Sequence, residues 1–265
     1  MDIPKEDLAY MAGFFDGEGY ISFFKIRGED SVEAGLTQTI MEPLLLFAKY
    51  FDGNIHKGRV TRGGLQIYRF RTSSKENIGV LLSSLFPYLI VKKSKAMLAL
   101  KFLGKEIPQD SADENFLIPY MAGFFDAEGS ISVRVRKEGR KVKVYGNKLQ
   151  PLIVMQQTCI EPLLLFQKTF GGYLYEKSSR TQKGSPIFYY RFKLSQIPRF
   201  FELLGKYLIV KRQHAELVFK LQQIKLKHNG KDPRIQEKWD IAKQIIDLNS
   251  KKGNKENCKV LQLIN

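Results

Sequence analysis

The chain is short of cysteine, histidine and tryptophan, with 2, 3 and 1 of them among 265 residues. Two cysteines, Cys159 and Cys258, cannot build a disulfide framework or a zinc site, so both are expected to be reduced thiols. His56, His214 and His228 are scattered without metal-ligand spacing, which argues against a catalytic histidine. Long apolar runs are missing too. Stretches such as Leu44–Phe47 and Leu163–Phe166 fall far below the about 18 residues that a membrane-crossing helix needs, so no membrane partner is expected. The opening MDIPKEDL lacks the basic-then-apolar order of a secretory signal and the Arg-rich amphipathic character of a transit peptide. The expectation is an intracellular protein that works where it is made.

Acidic residues are scarce relative to basic ones. Against 43 Lys and Arg stand 27 Asp and Glu, for a formal net charge of +16 and a pI near 9.7. Such a surface suits a polyanion, because each Lys or Arg that meets a phosphate releases condensed counterions. Charge alone does not choose between DNA, RNA and an ordinary basic surface. With 43% hydrophobic and 26% charged residues, the composition is that of a globular protein. The length allows one large domain or two modest ones.

What the chain has, it has twice. Met11-Ala-Gly-Phe-Phe-Asp-Gly-Glu-Gly19 returns as Met121-Ala-Gly-Phe-Phe-Asp-Ala-Glu-Gly129. Gln38-Thr39 before Glu42-Pro-Leu-Leu-Leu-Phe47 returns as Gln157-Thr158 before Glu161-Pro-Leu-Leu-Leu-Phe166. Tyr68-Arg-Phe-Arg71 matches Tyr190-Arg-Phe-Lys193, and Tyr88-Leu-Ile-Val-Lys-Lys93 matches Tyr207-Leu-Ile-Val-Lys-Arg212. The spacing grows from 110 residues between Asp16 and Asp126 to 119 between Lys92 and Lys211, so the second copy carries 9 more. The basic stretch Lys137 to Lys148 is the expected place for them. Two repeats of this length describe a fused dimer rather than a solenoid. The polar, Pro-interrupted stretch after Gly104 has linker composition, which divides the chain into 1–104, a linker at 105–115, and 116–265.

Each half reads α-β-β-α-β-β-α-α, an α+β pattern. The first half predicts a helix from Pro4 to Asp16, strands at Tyr20–Arg27 and Ala34–Ile40, and a helix from Glu42 to about Asp52. A hairpin turning at Thr61–Gly64 with a second strand at Leu65–Arg71 follows, then helices at Lys75–Leu85 and Ser94–Leu103. The second half adds a helix at Pro233–Asn249, with Trp239 and the apolar positions after it expected to pack, and a Lys-rich tail. In Ile131–Arg136 the apolar Ile131, Val133 and Val135 alternate with Ser132, Arg134 and Arg136. Arg69 and Arg71 share a face of their strand, as do Arg191 and Lys193. An antiparallel sheet with one apolar and one basic face suits a duplex laid across it, although an ordinary solvated face has the same pattern. The first-half counterpart carries Phe24 and Ile26 in place of arginines.

The strongest signal is the repeated small-residue helix that ends in acid. Gly13 and Gly123 sit inside helical pattern, where Gly costs about 1 kcal/mol relative to Ala. After Ala12 and Ala122 they offer flat surfaces for close backbone approach, and the natural partner of each helix is the other. Packed side by side, the two would bring Asp16, Glu18, Asp126 and Glu128 together at negatively polarised helix C-termini, a placement that calls for a cation. Mg2+ suits such oxygen ligands, because it takes one or two carboxylates, keeps several waters and binds phosphate oxygens. One copy alone would be better read as turn aspartates and solvated glutamates; the second copy reverses that preference. An EF-hand loop is out of register with these acids.

These nonapeptides resemble the LAGLIDADG motif, with Met for the opening Leu and Glu for the last acid, and the two-motif layout is similar to the single-chain homing endonucleases of that family. The resemblance implies two pseudo-symmetric repeats, each with an antiparallel sheet that forms half of a DNA-binding saddle. It implies that Glu18 and Glu128 bind the catalytic metal, with backbone carbonyls from Gly17 and Ala127, and that Asp16 and Asp126 are structural. Gln38 and Gln157 match a strand glutamine beside the scissile phosphate, and Lys92 and Lys211 match a lysine near the reaction centre. The residue types also have bland uses, since glutamines on sheets and lysines before helices are common. The implied activity is Mg2+-dependent hydrolysis of both DNA strands at a long, partly asymmetric site, leaving short 3′ overhangs. Mn2+ is expected to substitute, and Ca2+ to bind without supporting cleavage. The implied molecule is an intron-encoded monomer of an organelle (mitochondrion or chloroplast) or a microbial cytoplasm. A maturase that binds RNA of its host intron is the rival reading, and a catalytically silent DNA-binding regulator is a third. Acids in both motifs together with both lysines favour the nuclease, since RNA binding alone needs no metal cluster.

Overall fold

A computed structural model describes residues 3–72, 74–110, 114–135, 149–177, 186–225 and 232–250. The order of elements is the one read from the sequence, twice over. The first copy consists of α1 (Lys5–Glu18), β1 (Gly19–Ile26), β2 (Glu29–Gln38), α2 (Glu42–Tyr50), β3 (Asn54–Val60), β4 (Gln66–Thr72), α3 (Lys75–Leu85) and α4 (Lys93–Phe102). The second consists of α5 (Leu117–Glu128), β5 (Gly129–Val135), β6 (Leu149–Gln157), α6 (Glu161–Phe170), β7 (Tyr173–Lys177), β8 (Ile187–Arg191), α7 (Ile197–Leu204), α8 (Arg212–Gln223) and the added α9 (Arg234–Ser250). Lys137 to Lys148, expected to hold the extra residues, and Arg136 lie outside the described residues.

Local chemistry explains the boundaries. Pro4 occupies the N-cap position of α1 without a side-chain hydrogen bond, and Glu6 and Asp7 place negative charge in the helix's positively polarised first turn. The helix runs to Glu18, beyond the expected end at Asp16, because Gly19 passes directly into extended backbone with no intervening turn. Glu18 is therefore the last helical residue and Gly19 the first of a strand. Ser74 caps α3 by accepting the Asn77 N–H at 3.0 Å.

Each copy forms a four-stranded antiparallel sheet, in the order β1-β2-β4-β3 in the first and β5-β6-β8-β7 in the second. Ala34, Leu36 and Phe70 are fully buried on the inner side of the first sheet, where the Phe70 ring lies 5.9 Å from that of Phe47 in α2. In the second sheet Tyr190 takes the place of Phe70, 6.0 Å from Phe166 in α6. The register reveals a correction. Gly35 pairs with Arg71 in the first sheet and its counterpart Val154 pairs with Arg191 in the second. The counterpart of Arg71 is thus Arg191, not Lys193, and the matched Tyr-Arg-Phe triplets are two residues out of step. Side chains alternate with a period of two, so a shift of two leaves every residue on its face and is hard to see in sequence.

The chain divides into two compact units. One holds residues 1–128 with the short segments 159–165 and 207–210; the other holds 129–158, 166–206 and 211–265. Helix α5 clusters with the first unit because it packs along α1. Residues Ala9 to Asp16 and Tyr120 to Asp126 are all buried, so neither helix has a solvent side along this stretch. At the crossing, a Cβ on Gly13 would stand 2.0 Å from the Tyr120 carbonyl oxygen, and one on Gly123 would stand 2.0 Å from that of Tyr10. Backbone touches backbone, which only glycine permits. In the second unit α9 buries Ile241, Ala242, Ile245 and Ile246, and Asn249 donates to the Ile131 carbonyl at 2.9 Å. Among the described residues no helix is long and apolar enough to cross a membrane.

Candidate active site

The crossing of α1 and α5 carries the acids of both motifs to one place. Gly17 lies against α5 so closely that a Cβ there would meet the Ala127 Cβ at 2.3 Å, the Glu128 Cγ at 3.1 Å and the Glu128 Oε1 at 3.4 Å. The Glu128 side chain therefore packs beside the residue that precedes Glu18. Both glutamates are half-buried. Gln38, at the end of β2, donates its side-chain amide to Glu18 at 3.3 Å. Its own oxygen accepts the Thr39 N–H at 2.6 Å, which fixes the amide's orientation. Gln157 at the end of β6 is held in the same way by the Thr158 N–H at 2.8 Å.

The aspartates point elsewhere. Asp16 is buried and accepts the backbone N–H groups of Ile90 at 2.7 Å, Val91 at 3.0 Å and Lys92 at 2.8 Å. It thereby pins the loop that leads into α4. Asp126 does the same for Ile209 at 2.6 Å and Val210 at 3.0 Å, just before α8. Each aspartate also receives a tyrosine hydroxyl from the opposite helix, Tyr120 to Asp16 and Tyr10 to Asp126, both at 2.8 Å. Burial raises the Asp16 carboxyl above its usual range, and the Ile90, Lys92, Tyr120 and Val91 hydrogen bonds oppose that shift. These tyrosines were not picked out by sequence reading. The signal was present, since Tyr10 and Tyr120 precede the two repeated motifs directly.

Lys92 is the N-cap of α4 and Lys211 that of α8, with nearly the same backbone, φ −98 and ψ 8 against φ −111 and ψ 10. The Lys92 ammonium donates to the Asp16 carbonyl oxygen and reaches the Gly17 carbonyl oxygen at 3.4 Å. Burial lowers its pKa below the usual lysine value, while Asp16, Glu128 and Glu18 pull it back up. Those three acids are thus the anionic surroundings of one half-buried cation. Among the described residues no group of three or more His, Cys, Asp and Glu is placed to hold a metal. The donors present, the Glu18 and Glu128 carboxylates and the main-chain carbonyls beside them, are the oxygens taken by an ion that keeps most of its waters, as Mg2+ does.

The expected nucleic-acid contacts fall on the sheet faces opposite the core. Arg69, Arg71 and Arg134 are exposed and Ser132 is half-buried. Lys193 lies past the end of β8, as the cap of a short turn. Arg191 and Lys193 stand 5.0 Å and 5.2 Å from the Tyr173 ring centroid. With Arg134, Gln150 and Ser195 they line an open hollow of about 400 Å³. Arg71 is engaged by Glu33 at 2.8 Å, an acid that the sequence reading passed over.

The LAGLIDADG endonuclease family model matches residues 121–221. An intron-encoded DNA endonuclease (ai2b) of Dictyostelium discoideum is 27% identical over 221 residues, covering 78% of this chain and 75% of that protein. Among solved structures, the LAGLIDADG homing endonuclease I-GzeII in complex with its DNA target superposes with a TM-score of 0.64 at 18% identity, over 89% of this chain and 97% of the other. The meganuclease I-SmaMI bound to DNA gives 0.65 at 16% identity, over 96% and 100%.

Proposed function

We propose that this chain, which resembles the two-repeat, single-chain LAGLIDADG endonucleases, is a site-specific DNA endonuclease that hydrolyses one phosphodiester in each strand of a duplex. The observation that carries this reading is the backbone contact of α1 and α5, which sets Glu128 against the Gly17 backbone next to Glu18. Two acids at two negatively polarised helix ends are stable beside a divalent cation and costly without one.

Glu18 and Glu128, with the carbonyls of Gly17 and Ala127, would hold Mg2+. The bound ion supplies Lewis acidity and an activated water. The protein's own part is placement. Gln38, fixed by Thr39 and bonded to Glu18, orients that carboxylate; Gln157, fixed by Thr158, is the matching residue of the second repeat. Lys92 and Lys211 offset the negative charge that grows on the phosphoryl oxygens while the 3′ oxygen leaves. Asp16 and Asp126 hold the lysine-bearing loops in register with the glutamates. Arg69, Arg71, Ser132, Arg134, Arg136, Arg191 and Lys193 bind the duplex. Two unlike sheet faces on one chain suit a long, partly asymmetric target. The resemblance to an intron-encoded endonuclease and to homing endonucleases solved on DNA supports duplex DNA as substrate and a host intron as origin. Short 3′ overhangs, a monomeric enzyme, use of Mn2+, inactive binding of Ca2+, and an organellar or microbial intracellular setting complete the proposal.

The test is cleavage of a randomised DNA pool in Mg2+ by the protein and by Glu18→Gln and Glu128→Gln. A unique long site cut in both strands, with each variant reduced to nicking or silence, supports it. A pool left intact by a protein that binds structured RNA tightly would replace it with the maturase.

A further inference from the structure

On the first sheet, Tyr20, Gly35 and Arg71 stand in one row across β1, β2 and β4, joined by the pairs Tyr20–Gly35 and Gly35–Arg71. Gly35 leaves the middle of the row open. A Cβ there would meet the Tyr20 hydroxyl oxygen at 2.8 Å and the ring at 3.0 Å, so the tyrosine occupies the space above it. From there the Tyr20 hydroxyl donates to Glu33 at 2.5 Å, and Arg71 grips the same carboxylate at 2.8 Å. Glu33 lies two residues from Gly35 on β2 and so faces the same side. Burial and Glu33 push the Tyr20 phenol up to about 12, which keeps it a donor at any working pH. The Glu33 side chain is only 17% exposed whereas that of Arg71 is 43% exposed. An anchored carboxylate thus holds a guanidinium that still presents an outer edge.

The second sheet does this differently. Its equivalent row is Ser130, Val154 and Arg191, with no carboxylate, and Arg191 lies over Tyr173 instead. Two equivalent arginines are therefore held by unlike partners.

A carboxylate on a DNA-facing surface weakens phosphate binding, so Glu33 is misplaced if Arg71 serves the backbone. It is well placed if Arg71 reads a base. In the major groove guanine alone presents two acceptors, O6 and N7, for a bidentate arginine, and its cytosine partner presents an N4 amino donor. A guanidinium fixed in one plane suits the first contact, and the remaining lone pairs of Glu33 suit the second.

Resting on the endonuclease reading above, we propose that Arg71 and Glu33 form a specificity-determining pair that selects one G·C base pair of the target, with Tyr20 as the residue that positions Glu33. The experiment takes the site recovered from the randomised pool, makes every single-base change in it, and measures relative cleavage by the wild type, Arg71→Ala, Glu33→Ala, Glu33→Gln and Tyr20→Phe, with folding of each checked by circular dichroism. Arg71→Ala and Glu33→Ala are expected to lose discrimination at the same single position, by about tenfold or more, and to keep it elsewhere. Glu33→Gln, which retains an acceptor for Tyr20, and Tyr20→Phe should show a smaller loss at that position. Loss at different positions, or uniform weakening across all sequences with a shallower salt dependence, would assign Arg71 to phosphate and overturn the pairing. A pool that the wild type leaves uncut overturns the endonuclease reading as well, and that failure is told apart because in the other cases the wild type cuts.

Discussion

Tyr120 donates its hydroxyl to Asp16 at 2.8 Å, from a helix that begins more than a hundred residues later in the chain. The reciprocal bond from Tyr10 to Asp126 has the same length. Each aspartate therefore does two jobs: it joins its helix to the other repeat's helix and it anchors the loop before a lysine-capped helix.

The loss of Asp16 should be strongly felt. It accepts three backbone N–H groups and one hydroxyl while buried. Asn at this position has a single acceptor oxygen and turns an amino group toward donors. Leaving a buried donor unmatched costs about 1–3 kcal/mol, so Asp16→Asn should destabilise by about 3 kcal/mol or more in urea unfolding. Tyr120→Phe, which removes one bond, should cost about 1 kcal/mol. Equal effects of the two substitutions would show that the loop anchor contributes nothing.

The helix crossing makes a sharper demand. With a Cβ 2.0 Å from a carbonyl oxygen, Gly13→Ala must separate α1 from α5. Overpacking usually costs about 1–3 kcal/mol where side chains can yield, and here the obstacle is backbone. Gly13→Ala and Gly123→Ala should each lower the melting temperature by about 10 °C or abolish folding, whereas Ala at the exposed Gly64 turn should cost far less despite its positive φ of 81. A Gly13→Ala protein that melts like the wild type would contradict the contact.

What the sequence made legible follows from repetition and local pattern. The two copies rest on matched segments 110 to 119 residues apart, the strand faces on a spacing of two, and the helix crossing on the repeated small residues Ala12-Gly13 and Ala122-Gly123, and all of these survive without knowledge of three-dimensional partners. The register of β8 was misread because Tyr68-Arg-Phe and Tyr190-Arg-Phe match as letters, while the fold places Tyr190 where Phe70 sits. The Tyr10 and Tyr120 cross-bonds and the Glu33–Arg71 pair join residues from different elements, and no local pattern encodes such partners. Glu18 as the last residue of α1 escaped because the helix passes into a strand without a turn signal.

Cys159 allows a prediction from thiol chemistry. Burial, then the Glu161 carboxylate that accepts its thiol hydrogen at 2.8 Å, raises its pKa from 9.0 to about 11. A raised pKa means that the fold favours the protonated form, so this stabilisation is complete below about pH 9 and is lost as pH rises through about 11. The thiolate is the reactive species, so alkylation of Cys159 by iodoacetamide at pH 8 should be about a hundredfold slower than that of an ordinary thiol. Glu161→Gln should speed it, as read by mass spectrometry of the Cys159 peptide. Rapid labelling of the unsubstituted protein at pH 8 would show that Glu161 does not restrain the thiol.

The two glutamates are near-equivalent in the fold but flank unlike neighbours, Gly17 on one side and Ala127 on the other. If each serves one strand, Glu18→Gln and Glu128→Gln should nick opposite strands of the same target, each with cleavage of the other strand down by about a hundredfold or more. If both glutamates instead bind an ion that both strands share, either substitution should suppress both cuts together. EDTA should silence the wild type in either case while binding persists, because the basic sheet faces need no metal. A supercoiled plasmid bearing one target separates the outcomes, since nicked circles accumulate in the first case and uncut plasmid in the second. Strand-specific end labels then report which glutamate serves which strand. Accumulation of linear product with one variant would remove that glutamate from the reaction.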